Sequence, residues 1–434
     1  MLAYEKTTLD NGLQVVAIQQ PYLHSSDIAF FVRVGSRHEQ VAQWGLSHMV
    51  EHMLFRGSAS HPDSLSLARA FEKSGGLLNA STWRDHTQLT ATVHPSRMRG
   101  FLNVLADMVA RPVFQELDVE RHIIEEELRS DLDASGEDVN INNVSRANIW
   151  SGHPMGRRIT GSVESLNGFA VSDVQAHHAR HYVGPNAVLC VAGPLKAADV
   201  VAIAAEAFAK FPSGRATTDG EAALFTDRDR LITRSVSSSQ LSVQLTFEAM
   251  PDVHDDFMAM QFLTRILDDG MGSRLQQAVC ERRGLVYEMT TGLDCYADCG
   301  LYDIELKVAP RRAASAVAAT LDVLEKLVTD GVSDNEIDDV RERSLHELEY
   351  RIDSTTELAN YFGAATLFGS ARTDALDLEM LENEARRMRE VSAESVSRVA
   401  RELFAKKRLV TTIIGPIERA NMKKIGHLVG GFGT

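Results

Sequence analysis

The chain has 434 residues, 44% of them hydrophobic, and a formal net charge of −15 at pH 7. This length allows two or three domains with ordinary globular cores, and the composition argues against a disordered chain. The negative charge argues against nucleic acid and anionic membranes as partners. It favours basic peptides, or simply a solvated acidic surface.

Targeting signals and redox features are few. No run approaches the ~20 apolar residues that a membrane span needs, and residues 1–20 lack the basic, apolar and small-residue order of a signal peptide. We therefore expect a cytoplasmic protein with no membrane span. The four cysteines, none spaced as Cys-x-x-Cys, are expected to be reduced thiols rather than disulfides or metal ligands.

The first predicted elements are strands. An Asn-Gly pair at Asn11 and Gly12 separates two alternating segments, 4–9 and 13–18, and this pattern predicts a β-hairpin. Residues 28–34 predict another strand, which leads through a polar turn into a helix.

Segment 46–54 predicts an amphipathic helix, because its apolar residues recur at i, i+3, i+4, i+7 and i+8. At ~100° per residue, His48 and His52 lie about 40° apart and opposite this stripe, with Glu51 about 60° to the other side of His48. Two imidazoles one turn apart can bind Zn²⁺, and a neighbouring carboxylate can act as a base toward water. The competing interpretation is a solvated polar face that carries two histidines by chance.

The next elements prepare a second functional helix. A helix is predicted over 65–73 and is stopped by Gly75 and Gly76. Residues 77–82 and 87–93 predict two strands around a polar turn, and a helix over 97–110 follows.

Segment 117–132 predicts a helix that contains three successive glutamates, and one of them could supply a third metal ligand. Glu126 lies farthest from the apolar face of this helix. Periodicity does not choose between Glu125 and Glu127, because they flank the apolar stripe on opposite sides.

A histidine cluster farther along the chain has the spacing of a second metal site. Asp173, His177 and His181 follow one another at i, i+4 and i+8. However, Ser172 and Asp173 are explained as the cap and first turn of a helix. We therefore interpret the histidines, His178 included, as the solvated face of that helix.

An internal repeat organises the whole chain. Segment 186–195, a strand that ends in Gly-Pro before an alanine-rich helix, is echoed by segment 408–417, and the two Gly-Pro pairs are 222 residues apart. The predicted division is a first domain at 1–212, a linker at 213–228 and a second domain at 229–434.

The second half carries no copy of the histidine motif. Its helix over 257–267 takes the place of the helix over 46–54, and Arg265 stands roughly where a repeat would place Glu51. We therefore expect only the first domain to bind metal.

The motif His-x-x-Glu-His at 48–52, followed after 74 intervening residues by Glu127, resembles the M16 metallopeptidases, the inverted zincins. The run 120–128 also resembles the family's segment around its ligand glutamate, and this resemblance selects Glu127. It implies that His48, His52 and Glu127 bind zinc and that Glu51 is the general base.

The resemblance implies further site residues. Glu120 and Glu137 match acidic positions that support the family's metal site. The pattern Gly-Gly-x-x-Asn-Ala-x-Thr at 75–82 is similar to the family's substrate-binding edge strand, so Asn79 and Ala80 are expected to bind an extended peptide.

A second-half signature also resembles the family. By this resemblance Tyr287 contacts the substrate at the catalytic centre, where a phenol can donate to the oxyanion of a tetrahedral intermediate. The competing interpretation of Tyr287 is a strand residue packed on the core. Many members carry an Arg seven residues earlier, but this chain has Cys280.

Short members of the family resemble half of a four-domain clamshell that is closed by a second chain. A dimer is therefore implied. Because Cys280 replaces the expected Arg, we hypothesise a homologous metal-free subunit as the partner, ahead of a second copy of this chain.

The sequence thus predicts an α+β fold of two similar α/β domains from an internal duplication, each a mostly antiparallel sheet packed with helices. The predicted function is a zinc-dependent endopeptidase that cleaves extended peptides or leader segments, with Glu51 as general base. The alternatives are a non-catalytic structural or assembly subunit of the same fold and a different zinc hydrolase built on the same helix.

Overall fold

A computed structural model describes residues 3–225, 229–368, 379–405 and 409–433. The chain forms two compact units, and neither is continuous in sequence. The first unit comprises 1–130, 157–221 and 349–380, and the second comprises 131–156, 222–348 and 381–434.

The first unit is built on a mixed sheet of six strands, in the order β1-β2-β6-β3-β5-β4. These strands are β1 (Ala3–Thr8), β2 (Gln14–Gln19), β3 (Ser26–Val32), β4 (Leu78–Thr82), β5 (Thr87–Val93) and β6 (Ala187–Gly193). Only the β2–β6 pair is parallel, and the other neighbours are antiparallel. The predicted hairpin is confirmed, and Gly12 adopts φ +92° in its turn.

The second unit repeats this topology in five strands, in the order β7-β11-β8-β10-β9. They are β7 (Leu231–Ser235), β8 (Leu241–Ala249), β9 (Glu288–Cys295), β10 (Gly300–Val308) and β11 (Leu409–Gly415). Again one pair, β7–β11, is parallel and the rest are antiparallel. The order matches β2-β6-β3-β5-β4, so the predicted fold of two similar α/β domains is confirmed.

Helices pack on both sheets. In chain order they are α1 (Leu46–Leu54), α2 (Ser64–Lys73), α3 (Met98–Ala110), α4 (Leu117–Arg129), α5 (Ile141–Ile149), α6 (Val163–Gly168), α7 (Val171–His181), α8 (Ala197–Ala207), α9 (Phe257–Leu267), α10 (Ala313–Asp330), α11 (Asp334–Ile352), α12 (Thr355–Phe368), α13 (Glu379–Glu390), α14 (Ala393–Leu403) and α15 (Arg419–Gly431). A π-helical segment, Gln276–Glu281, precedes β9. None of the described helices is long and apolar enough to cross a bilayer.

Each sheet is covered in part by a segment from the other half of the sequence. In the first unit, α12 packs against β3 and β6, and Gly363 lets its backbone approach the ring of Phe31. In the second unit, α5 packs against β8 and β11, and the buried Arg146 forms an ion pair with Asp294 at 3.1 Å and another with Asp303. The division predicted from the sequence repeat, with a first domain at 1–212, a linker at 213–228 and a second domain at 229–434, stays a prediction.

The beginning of the predicted linker is held against the first unit. Asp219 lies 2.7 Å from Arg33 and 3.0 Å from His38. Two residues earlier, the N–H of Thr217 donates to the side chain of Asn186 at 2.5 Å. These ion pairs and hydrogen bonds fix residues 217–219 of the predicted linker close to Asn186, which directly precedes β6.

Candidate metal centre

The helix α1 is set in place by its buried apolar side and by a carboxylate at its beginning. Met49, Val50 and Met53 are fully buried. Glu39 accepts hydrogen bonds from the N–H groups of Gly45, at 2.8 Å, and Ser47, at 2.7 Å. An acceptor at this position satisfies amides that the helix itself cannot. The polar side of α1 is therefore fixed in rotation.

Glu39 is itself buried, with 3% of its surface exposed. Burial raises its pKa to about 7, although the two amides of α1 favour the charged carboxylate. A buried carboxylate is retained where it satisfies buried donors, which is the case here.

The polar side of α1 meets α4 at a group of three ligand atoms. Nε2 of His48 and Nε2 of His52 lie 3.7 and 3.8 Å from the same carboxylate oxygen of Glu127. All three ligand atoms lie within 4.8 Å of one another. Four ligand atoms about 2.1 Å from a tetrahedral ion lie about 3.4 Å apart, so these residues fit zinc.

The structure also separates the three glutamates of α4. Glu125 is buried, and its carboxylate lies 3.8 Å from His122 and from Arg129. Glu126 is exposed and forms an ion pair with Arg129. Only Glu127 of the three joins the histidines. Within the described part of the chain, no other group of His, Cys, Asp or Glu side chains converges in this way.

Glu120 supports the site from the same helix. Its carboxylate accepts a hydrogen bond from Nδ1 of His52 at 2.8 Å and is also bonded to Arg56. A carboxylate can only accept, so the proton lies on Nδ1 and Nε2 of His52 is free to ligate.

The pKa values of the two imidazoles shift in opposite directions. Burial lowers the pKa of His48 to about 3, so its ring is neutral, and its Nδ1 is buried with no hydrogen-bond partner among the described residues. Burial acts in the same direction on His52, but the hydrogen bond and charge of Glu120, with Glu51 and Glu127, outweigh it and raise the pKa of His52. The carboxylates thus make the group attractive to a cation.

Glu51 directly precedes His52 on α1 and is bonded to the edge strand of the first sheet. The Thr82 hydroxyl donates to its carboxylate at 2.5 Å, and the Thr82 N–H also bonds it. Burial nevertheless raises the pKa of Glu51. A partly desolvated carboxylate with a raised pKa is suited to accept a proton from water.

The strand β4 lies at the open edge of the sheet and pairs only with β5 among the described strands. The Trp83 N–H donates to the His86 carbonyl at 2.7 Å, so this pair is hydrogen-bonded. By the alternation of an antiparallel ladder, Ala80 directs its N–H and C=O away from β5. Asn79 is exposed and its side chain is on the other face of the sheet from that of Thr82.

The remaining predicted residues belong to the second unit. Tyr287 is 82% exposed, so its interpretation as a core residue is wrong. Cys280 is half-buried in the π-helical segment. Glu137 is exposed in the loop after α4, where its N–H donates to Asp133 at 3.0 Å. The metal group belongs to the first unit, and the roles of Tyr287 and Glu137 stay predictions.

The interpretation of the α7 histidines as a solvated face is wrong. His177, His178 and His181 are buried and are 3%, 5% and 3% exposed. Nε2 of His177 lies 3.2 Å from the hydroxyl of Ser47, and Nε2 of His178 donates to the Val109 carbonyl at 2.9 Å. The predicted helix is correct, but α7 packs against α1 at His177 and against Val109 and Phe114 at His178, so these histidines are covered.

Two residues that contact the metal helix, Thr82 and Glu39, were not predicted from the sequence. Strand alternation in the 75–82 pattern places Thr82 on the face opposite to Asn79, but no local signal pairs it with Glu51. No local signal identifies Glu39, because a carboxylate six to eight residues before the amides it caps lies outside any local capping pattern.

The fold and the site together define a metallopeptidase-like protein. Two family sequence patterns match the chain: "Insulinase (Peptidase family M16)" over residues 14–162 and "Peptidase M16 inactive domain" over residues 169–344. An uncharacterized zinc protease of Mycobacterium tuberculosis is 30% identical over 422 residues, which cover 96% of this chain and 94% of the relative. The chain belongs to the M16 family of metallopeptidases.

More distant relatives extend the comparison. The mitochondrial-processing peptidase subunit beta of Dictyostelium discoideum is 25% identical over 95% of this chain and 88% of its own length. A solved peptidase M16 inactive domain from Pseudomonas fluorescens has a TM-score of 0.86 at 21% identity, covering 96% of this chain and 98% of its own. A protease from Helicobacter pylori has a TM-score of 0.85 at 20% identity, covering 96% and 100%. These structures share the fold.

Proposed function

We propose that the chain is a zinc-dependent endopeptidase that cleaves extended peptides or leader segments. One observation carries this proposal. Thr82, which donates a hydrogen bond to the carboxylate of Glu51, belongs to the open edge strand. The base and a peptide-binding edge therefore lie side by side, next to the three ligand atoms.

Zinc held by His48, His52 and Glu127 would supply Lewis-acid polarisation of water and of the peptide carbonyl. Glu51 takes a proton from the attacking water and passes it to the leaving amine. The hydroxyl and N–H of Thr82 hold the carboxylate of Glu51 in place for both transfers.

The edge strand orients the substrate. A peptide in extended conformation adds to β4 by bonding to the N–H and C=O of Ala80, beside Asn79. Main-chain bonding of this kind needs an unfolded segment, which favours peptides and leaders over folded proteins. The acidic charge of −15 favours basic segments.

The second unit and a partner chain complete the proposal. The exposed Tyr287 phenol is available to donate to an oxyanion in an assembled dimer. With Cys280 in place of the expected Arg, a homologous metal-free subunit is the proposed partner ahead of a second copy. The similarity to a relative named as a processing-peptidase subunit supports this. A cytoplasmic location stays a prediction.

The test compares wild type with Glu51→Gln for zinc content and for cleavage of an unstructured basic peptide, alone and with any copurifying subunit. Zinc in both proteins with cleavage only by wild type is the expected result. Zinc-loaded protein that cleaves nothing in any preparation, copurified subunit included, would favour the alternative of a non-catalytic assembly subunit. Equal cleavage by both proteins would remove Glu51 from the role of base.

A further inference from the structure

A large aromatic side chain lies exposed at the end of the edge strand. Trp83 follows Thr82 directly, and 52% of its surface is exposed. Successive side chains of a strand point to opposite faces, so the indole lies on the face opposite to the Thr82 hydroxyl that bonds Glu51. An extended peptide on β4 would present alternate side chains to these two faces.

The main chain of Trp83 is fixed on both sides. Its N–H donates to the carbonyl of His86 at 2.7 Å, and its carbonyl accepts from the N–H of Ser36 at 3.3 Å. The next residue is held as well, because the Arg84 carbonyl accepts from the N–H of Arg37 at 2.8 Å. The turn that carries the indole is therefore rigid.

The ring itself is also held in one orientation. It stacks on His86 with ring centroids 5.9 Å apart and planes 10° from parallel. His86 is in turn fixed by Asp85, which is 2.7 Å from its Nδ1, and by the rings of Phe31 and Phe368. The indole thus packs in an offset, parallel arrangement against a fixed imidazole, and about half of the Trp83 surface is exposed. A preorganised aromatic surface loses little entropy when a ligand covers it.

The surroundings indicate the chemistry of the ligand. The same face of the strand carries two neutral residues, Asn79 and Ser81, and begins with Leu77, which is 73% exposed. The nearby carboxylate of Asp85 is buried and already bonded to His86. An aromatic side chain would gain burial and ring stacking here. A cationic side chain could lie over the indole, but the neighbours named above offer no open carboxylate to pair with it.

We propose that Trp83 is a specificity-determining residue that selects peptides with an aromatic side chain close to the cleaved bond, an inference that rests on the proposed peptidase function. The distance is short because Thr82 and Trp83 are consecutive and a strand rises only ~3.3 Å per residue. Cross-strand neighbours on one face approach to ~5 Å, within reach of two aromatic rings. The indole thus contacts a substrate side chain one or two residues from the peptide bond that is cleaved with Glu51 as the base.

The test uses an unstructured basic peptide in which a single Phe is moved along the sequence, with Ala and Arg versions at each position. Wild type is compared with Trp83→Ser, Trp83→Phe and the control Tyr22→Ser, which removes an aromatic side chain that is 93% exposed in the loop between β2 and β3. Wild type should prefer Phe to Ala at one position by ~10-fold in kcat/KM, a size expected for one buried aromatic contact.

The Phe preference should fall toward one in Trp83→Ser, survive in Trp83→Phe and stay unchanged in Tyr22→Ser. A preference that is equal in Trp83→Ser and wild type, or a wild-type preference for Arg over Phe, would overturn the inference while leaving the peptidase function intact. If wild type cleaves no peptide, the proposed function fails. Binding of the Phe and Ala peptides to Glu51→Gln then decides the inference, and equal Kd values would sink it.

Discussion

Nδ1 of His52 donates a hydrogen bond to Glu120 at 2.8 Å, while Nε2 of the same ring lies 3.8 Å from Glu127. Glu120 therefore decides which nitrogen of His52 faces the metal group. We expect Glu120→Ala to weaken zinc binding ~10- to 100-fold, as removal of such a partner does in other sites. Competition with a chelating dye measures this. Glu116→Ala is the matched control, because Glu116 shares the Arg56 contact but does not touch His52. A similar loss in both variants would contradict the role of Glu120.

The choice among the α4 glutamates leads to a second prediction. Glu127→Gln should lose most bound zinc, because an amide is a weak ligand for this ion. Glu126→Gln, one residue away and exposed, should keep it. Metal content after dialysis measures both, and retention of zinc by Glu127→Gln would remove this residue from the ligand set.

Thr82 is expected to act through Glu51. Thr82→Val removes the hydroxyl that donates at 2.5 Å and should lower kcat ~10-fold with little change in zinc content. Thr82→Ser restores a hydroxyl at the same position and should recover most of the rate. A rise in KM alone, with kcat unchanged, would show that Thr82 contributes only to peptide binding at the edge strand.

Glu39 is expected to stabilise the metal helix. Glu39→Ala leaves the buried amides of Gly45 and Ser47 without an acceptor, so the free energy of unfolding should fall by about 2 kcal/mol. Chemical denaturation measures this, and Glu72→Ala, at an exposed glutamate of α2, should change it by no more than about 0.5 kcal/mol. Equal effects of the two substitutions would contradict the capping role.

The buried histidines of α7 predict a loss of stability in acid. Burial lowers the pKa of His178 to about 4, and burial with the nearby charges of His38 and Arg180 lowers that of His181 to about 4. The unfolded chain, with histidine pKa values near 6.5, binds more protons, so stability is full above pH ~6.5 and falls as the pH drops toward 4. His178 alone accounts for up to about 3 kcal/mol.

Denaturation midpoints between pH 4 and 8 measure this dependence. His178→Gln should flatten it, whatever its effect on stability at neutral pH. His24→Gln, at an exposed position, should leave the slope unchanged. A slope that is the same in His178→Gln and wild type would show that other groups cause the acid sensitivity.

Much of the site could be read from local sequence. The period of residues 46–54 placed His48, Glu51 and His52 on one side of a helix, and the structure has that helix at Leu46–Leu54. The strand at 77–82 was predicted as well, but nothing local showed that its Thr82 touches Glu51. Periodicity left Glu125 and Glu127 equivalent, and the resemblance to M16 peptidases pointed to Glu127, the one that lies with the histidines.

Local sequence therefore determined which residues share a face of each helix and strand, because the 3.6- and 2-residue periods are properties of the backbone alone. Tertiary structure decided what each face meets. It buried the α7 histidines, capped α1 with Glu39, and placed α12 and α5 on sheets in the other half of the sequence. These contacts join residues far apart in the chain, and only packing of the whole chain brings such residues together.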